Sequence, residues 1–350
     1  MKFREYNFDF LRVISMISVI MIHVSAFWVQ SFIDNNITFS HLYFAFLYNS
    51  ISRFAVPCFL MLSGAFLLAD DKIKEYDKFY RKIAFNIGLP TLIFSICYIL
   101  LRFIWGEGLF TLIKDFFYGR PFYHMWYLFM IFGVYMMAPF IVVLKDFLGE
   151  KNFFKFSITL LFICIISGWL NNTSRLEWGI DRAICYISYF IIGYTLKKSS
   201  SKNNFIGWFY ILFGFILEII LSFVSFYIQV MKEIPESVLP VSIVGPLSPI
   251  VAVASVSIFV GISKLNFPRV RLISNLSIHS FNIFLIHGGI IWILEKVVFE
   301  LLKINKIELL QSLDVRIIIP LLTILVLLLS WILSNLIQFL LSRVLIGKIA

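Results

Sequence analysis

Ten apolar stretches, each close to the roughly twenty residues needed to cross a bilayer, succeed one another along this chain of 350 residues. Their approximate limits are 8–29, 41–69, 83–105, 124–144, 156–172, 179–196, 205–228, 241–263, 273–299 and 315–342. No single water-soluble core hides that much apolar length. Only 14% of the residues are charged, against about 25% in an average soluble domain. Forty Phe, 15 Tyr and 8 Trp do not suit a disordered chain. The runs are also too long for the alternating strands of a membrane β-barrel. The chain therefore reads as all-α: a polytopic membrane bundle of about ten transmembrane helices, one domain over residues 1–350. The first run carries Asp9, Arg12 and His23 and lacks a small-residue cleavage site, so it reads as an uncleaved helix rather than a secretion signal.

The formal net charge is +10. With the N-terminus inside, alternate loops hold 19 Lys and Arg on the inner side. Seven lie outside: Lys114, Arg120, Arg175, Arg182, Lys232, Lys303 and Lys306. This asymmetry predicts both termini in the cytoplasm, in a multi-pass protein of a bacterial cytoplasmic membrane. The positive charge sits in short loops rather than in a groove-sized cluster, so the expected partner is the bilayer and not nucleic acid. Cys58, Cys97, Cys164 and Cys185 all fall inside apolar runs without CxxC spacing, and read as small hydrophobes. No metal is expected. The longest outer loop, about 106–123, is rich enough in aromatics to cover a site. Gly245, Pro246, Ser248 and Pro249 should interrupt the eighth run near its outer end.

An ionisable side chain at membrane depth costs about 2.5–3.5 kcal/mol on insertion scales, so each needs a reason. Asp9 and Arg12 open the first run, and His23 lies 11 residues beyond Arg12, about 16 Å deeper. Eleven steps of about 100° end some 20° past three full turns, so Arg12 and His23 share a face. Arg53, Glu218 and His287 fall near mid-membrane and would form one polar layer with His23. Such a layer suits a co-substrate whose phosphates anchor on inner cations while its reactive end reaches a histidine, the shape of coenzyme A. A neutral His can serve as general base, and Arg53 can stabilise an oxyanion or hold a phosphate. The structural readings stay open: Asp9 and Arg12 can pair at i, i+3, and a lone transmembrane His often bonds between helices. His279 is expected nearer the interface. Arg102 and Lys296 are expected to snorkel at outer helix ends, outside the site.

Four motifs carry a resemblance. They are Asp9-Phe-Leu-Arg12 with His23 eleven residues on, and Asn49-Ser-Ile-Ser-Arg53 leading through Pro57 and Phe59 to Ser63-Gly64. His124-Met-Trp126-Tyr127-Leu128 follows, continuing to Tyr135 and Pro139. The last is Ser280-Phe-Asn-Ile-Phe284-Leu-Ile-His287. Together they resemble the membrane acyltransferase 3 family, and specifically its stand-alone O-acetyltransferases of bacterial surface antigens. Phe284 replaces the tyrosine common in that pattern. The resemblance implies acetyl, or another short acyl group, moving from cytoplasmic acetyl-CoA to a hydroxyl of a cell-surface glycan or its lipid-linked precursor.

It implies His23, Arg53 and Asp9 in catalysis, and Arg12, Arg53 and Ser63 at the acyl donor. His124, Trp126 and Tyr127 sit at the predicted outer interface and read either as an aromatic belt or as acceptor contacts; Glu218 and His287 join the acceptor side. Ser63-Gly64 reads either as donor path or as close helix packing. The rival reading is a transporter or exporter of a glycan or small polar solute, since ionisable groups at mid-depth also suit translocation.

Overall fold

The apolar runs become long helices because nothing else satisfies their backbone in hydrocarbon. The computed structural model describes residues 5–35, 41–170, 179–231, 245–303 and 305–346, with no strand among them. The helices are α1 Tyr6–Asn35, α2 Leu42–Ser50, α3 Ala55–Leu67, α4 Tyr76–Ile83, α5 Leu89–Ile104, α6 Leu109–Phe117, α7 Trp126–Leu170, α8 Gly179–Ser199, α9 Asn204–Phe226, α10 Pro249–Lys264, α11 Arg271–Lys296, α12 Lys306–Ser312 and α13 Val315–Ile346. Among the described residues, seven helical stretches are long and apolar enough to cross a membrane. Arg175 and Lys232 of the charge count, and the basic residues at both extreme ends, lie outside the described residues.

Helix α1 is the hub, packing against α2, α3, α10, α11 and α13. Helix α13 returns along α11, where Ser334 meets His279 (2.8 Å) and the Trp331 indole donates to Asn275 (2.8 Å). The described chain therefore begins and ends at one end of the bundle, here the terminal end. Small residues set the closest crossing. A Cβ on Gly64 would overlap the Phe190 carbonyl and one on Gly193 the Met61 carbonyl, so α3 and α8 touch backbone to backbone. The opposite surfaces are apolar and exposed, with Leu92, Ile96 and Leu100 on α5, Ile216 and Phe223 on α9, and Ile324 and Leu328 on α13. Patches of that kind belong against lipid.

Several predicted runs differ in detail. Run 41–69 is not one helix: residues 51–54 form turns between α2 and α3, with the Arg53 N–H bonded to the Ser50 carbonyl (3.0 Å) and that of Ala55 to Ser52 (3.2 Å). Pro57 is the cause, because it lacks the N–H that would bond the Arg53 carbonyl and its ring crowds that carbonyl. Run 83–105 starts earlier, at Tyr76, and passes through a π-helical turn at Ala84–Gly88 just before Pro90. In α7, Gly149 takes φ +68 and divides the helix between the predicted fourth and fifth runs. The Gly245–Ser248 segment is a turn, and α10 begins only at Pro249.

Candidate active site

Three imidazoles meet inside the bundle. The His23 ring lies 5.5 Å from that of His287 and 6.3 Å from that of His124, and His124 and His287 are 4.7 Å apart, centroid to centroid. Helix α1 supplies the first, α11 the second, and the approach to α7 the third. Sequence had placed His124 at the outer interface; it is instead 1% exposed. Loop 106–123 and α6 cover that end, and Phe122 stacks on Tyr98 at 4.3 Å, which closes the chain over His124. Gly288 makes room, since a Cβ there would strike the His124 ring.

Helix α11 is opened locally to hold this group. The Gly289 N–H bonds the Tyr98 hydroxyl (3.0 Å), which donates onward to the Leu285 carbonyl (2.6 Å), so a side chain stands inside the helical ladder. His287 Nδ1 lies 2.7 Å from the Phe284 carbonyl. A carbonyl only accepts, so Nδ1 carries the proton. In the neutral ring, Nε2 is then a bare lone pair, buried and with no hydrogen-bond partner.

Arg53 occupies the turn that Pro57 creates. Its guanidinium donates to Asn49 Oδ1, and Asn49 Nδ2 donates to the Ile22 carbonyl (3.2 Å) and Ser25 Oγ (3.1 Å) on the turns flanking His23. Arg53 is close enough for its charge to act on both His23 and Glu218. Glu218 on α9 is fully buried, and neither carboxylate oxygen has a hydrogen-bond partner. The structure thus brings His23, Arg53 and His287 to one layer and sets Glu218 behind Arg53. Asn49 is the link to α1; the four-residue spacing from Asn49 to Arg53 within run 41–69 is the signal for it in the sequence.

Asp9 and Arg12 form a separate group. Arg12 Nη1 donates to Ser277 Oγ (2.9 Å) and lies 3.4 Å from Asp9 Oδ1, and Ser277 Oγ donates to Asp9 (2.7 Å). Fourteen residues of helix, about 21 Å, separate Asp9 from His23. A cavity of about 340 Å³ opens at this terminal end, lined by Arg12, Ser63, Asp70 and Tyr135, whose hydroxyl donates to Ser63 (2.9 Å). A second cavity of about 120 Å³ lies deeper, shares Arg12, Ser63 and Tyr135, and reaches Tyr127, Ser280 and Phe284. The Phe284 ring is 5.4 Å from His287 and 5.5 Å from His124. A path from Arg12 to the imidazoles is therefore nearly continuous.

Tyr127 had also been read as interfacial; it lines this deep cavity instead. Trp126, one residue and about 100° earlier, faces a third cavity of about 450 Å³ at the far end, with Tyr123 and Trp292. The Tyr123 ring is 4.8 Å from that of His23. Arg102 does not snorkel. It donates to Glu107 (2.6 and 2.9 Å), Asp115 (2.9 Å) and the Pro121 carbonyl (2.9 Å), and so ties down loop 106–123. Lys296 pairs with Glu300. His279 is buried against α13, bonded to Ser334.

A known relative matches only in part. An amino-acid racemase from Enterococcus faecalis is 29% identical over 136 residues, a stretch covering 36% of this chain and 18% of the racemase. No solved structure matches the chain. The acyltransferase domain model of one membrane-protein family, in contrast, matches residues 5–335. That span takes in α1 with Arg12 and His23, the Arg53 turn, the His124 approach and His287 on α11. The chain belongs to the acyltransferase 3 family.

Proposed function

We propose that the protein is a membrane O-acyltransferase that moves acetyl, or another short acyl group, from acyl-CoA to a hydroxyl of a cell-surface glycan or its lipid-linked precursor. One observation carries this reading: cavities from both ends of the bundle end on the two rings, Phe284 and Tyr123, that flank His23, His124 and His287. The donor comes from the terminal end, which the charge asymmetry makes cytoplasmic in a bacterial membrane crossed about ten times by one domain. Arg12 holds donor phosphate, and the thioester arm passes Ser63 and Tyr135 toward Phe284.

The chemistry then follows from position. His23 takes the proton of the acceptor hydroxyl, and His287 Nε2 accepts it onward. The acceptor oxygen forms a bond to the thioester carbonyl carbon, and Arg53, held by Asn49, stabilises the oxyanion. The C–S bond breaks, and the coenzyme A thiolate takes back the proton. In this scheme Asp9 orients Arg12 and does not touch the reacting atoms, and Glu218 balances the Arg53 charge.

Purified protein in nanodiscs, given labelled acetyl-CoA and candidate acceptors, should transfer label, and His23→Ala should abolish transfer while remaining folded. Full transfer by a folded His23→Ala variant overturns the mechanism. Cavities on both sides of the imidazole layer also suit a carrier for a polar solute. Solute flux into proteoliposomes without thioester consumption would establish that second reading.

A further inference from the structure

The composition of the far-end cavity narrows what the acceptor can be. It offers about 450 Å³, within the range of small-ligand sites. Tyr123, Trp126 and Trp292 present aromatic walls, and Trp105 packs edge-on against Trp292 at 4.9 Å on the rim. Phe122 adds a fourth ring, and the rest of the lining is charged with a formal sum of zero: Arg102 and Arg120 against Glu107 and Asp115. Arg102 is spent on both carboxylates. Glu107 and Asp115 keep further lone pairs, since each oxygen accepts more than one hydrogen bond. Glu107 is still 41% exposed as a side chain. The nearby pairs Lys296–Glu300 and Lys306–Glu295 are self-neutralising as well. Such a surface offers flat apolar faces and hydroxyl acceptors but no net field for an anion. The floor is Tyr123, fixed by its hydroxyl on the Gly288 carbonyl (3.2 Å) and in ring contact with His23.

We propose that this vestibule binds an uncharged saccharide, with Trp126 and Trp292 against its ring faces and Glu107 and Asp115 accepting from its hydroxyls, and presents one hydroxyl past Tyr123 to His23. The assignment rests on the acyl-transfer reading and adds its acceptor subsite and charge class.

The test uses the full-length protein in nanodiscs. Maltotriose and tri-N-acetylchitotriose serve as neutral probes and trigalacturonate as the anionic one, with binding read by tryptophan fluorescence and saturation-transfer NMR. At least one neutral trisaccharide should bind tenfold or more tightly than trigalacturonate. Trp292→Ala should weaken it tenfold or more, Trp292→Phe should restore most of the loss, and Glu107→Gln should weaken it severalfold. Thermal stabilisation by coenzyme A is measured on every variant as the control of fold and donor site. Stabilisation by coenzyme A without neutral binding, equal binding of trigalacturonate, or an unchanged Trp292→Ala affinity overturns the vestibule assignment alone. Loss of coenzyme A stabilisation in the parent protein overturns the acyl-transfer reading beneath it.

Discussion

Replacing Asn49 by Leu, close to it in volume, should loosen the turn that holds Arg53. Asn49 makes three hydrogen bonds from a site only 6% exposed: it accepts from Arg53 and donates to the Ile22 carbonyl and Ser25. Inside a membrane bundle a neutral side-chain hydrogen bond is worth about 0.6 kcal/mol, so the two donations account for roughly 1 kcal/mol. The bond from the guanidinium is charge-assisted and worth about 1.5–3 kcal/mol. Asn49→Leu should therefore destabilise the protein by about 3 kcal/mol, because it also strands a buried cation. Asn49→Asp keeps an acceptor for Arg53 and loses only the two donations, so its cost should stay near 1 kcal/mol. Reversible unfolding in mixed micelles with increasing SDS measures both. Acyl transfer should fall with Asn49→Leu to the level of Arg53→Ala, since either change removes the oriented guanidinium. A Leu variant within about 1 kcal/mol of the parent, or with parental transfer, would refute the account of Asn49 as the link between Arg53 and the His23 turns.

Other consequences are open to measurement. His287→Asn keeps a donor for the Phe284 carbonyl but lacks Nε2, and should lower the transfer rate by about 10²-fold or more while coenzyme A affinity holds. Gly288→Ala drives a methyl into the His124 ring and should cost about 1–3 kcal/mol in the same SDS titration. Arg12→Ala should weaken coenzyme A tenfold or more by calorimetry, and Ser277→Ala less, because Ser277 only braces Arg12. Arg316 holds the Asp314 carboxyl down to about 2, from an ordinary 3.8, and Asp314 also caps the Arg316 N–H (2.9 Å). A depressed carboxylate stabilises the fold above its unfolded pKa and stops doing so as pH falls through the folded value. The hydrogen-exchange protection factor in the first turn of α13 should thus fall between about pH 4 and pH 2, and Asp314→Asn should remove that dependence.

The helical class was readable because apolar length alone forces helices in hydrocarbon. Residues on regular helix positions were readable too: Arg12 and His23 fall on one α1 face by arithmetic, and His287 by its depth in α11. Loop-borne groups were not. His124 and Tyr127 stand beside an aromatic loop outside the apolar runs, so counting from the helix end puts them at the interface, whereas the stacking of Phe122 on Tyr98 folds the chain back over them. Arg102 looked like a snorkelling end residue because its partners, Glu107, Asp115 and the Pro121 carbonyl, come from a turn whose path no periodicity encodes. The break at residues 51–54 was written in Pro57, but a run of apolar residues on both sides hid it.

The thinness of the imidazole layer has an electrical consequence. A hydrated approach from each end would carry the potential of its own compartment inward, leaving most of the resting voltage to fall across the two ring contacts, 5.5 and 5.4 Å, that join Phe284 through His124 to Tyr123. A unit charge moved through that gap feels about 2.3 kcal/mol per 100 mV. Net passage of the proton from the acceptor hydroxyl on the Tyr123 side to the thiolate on the Phe284 side would then be coupled to membrane energisation, and turnover in an energised vesicle would differ from turnover in detergent.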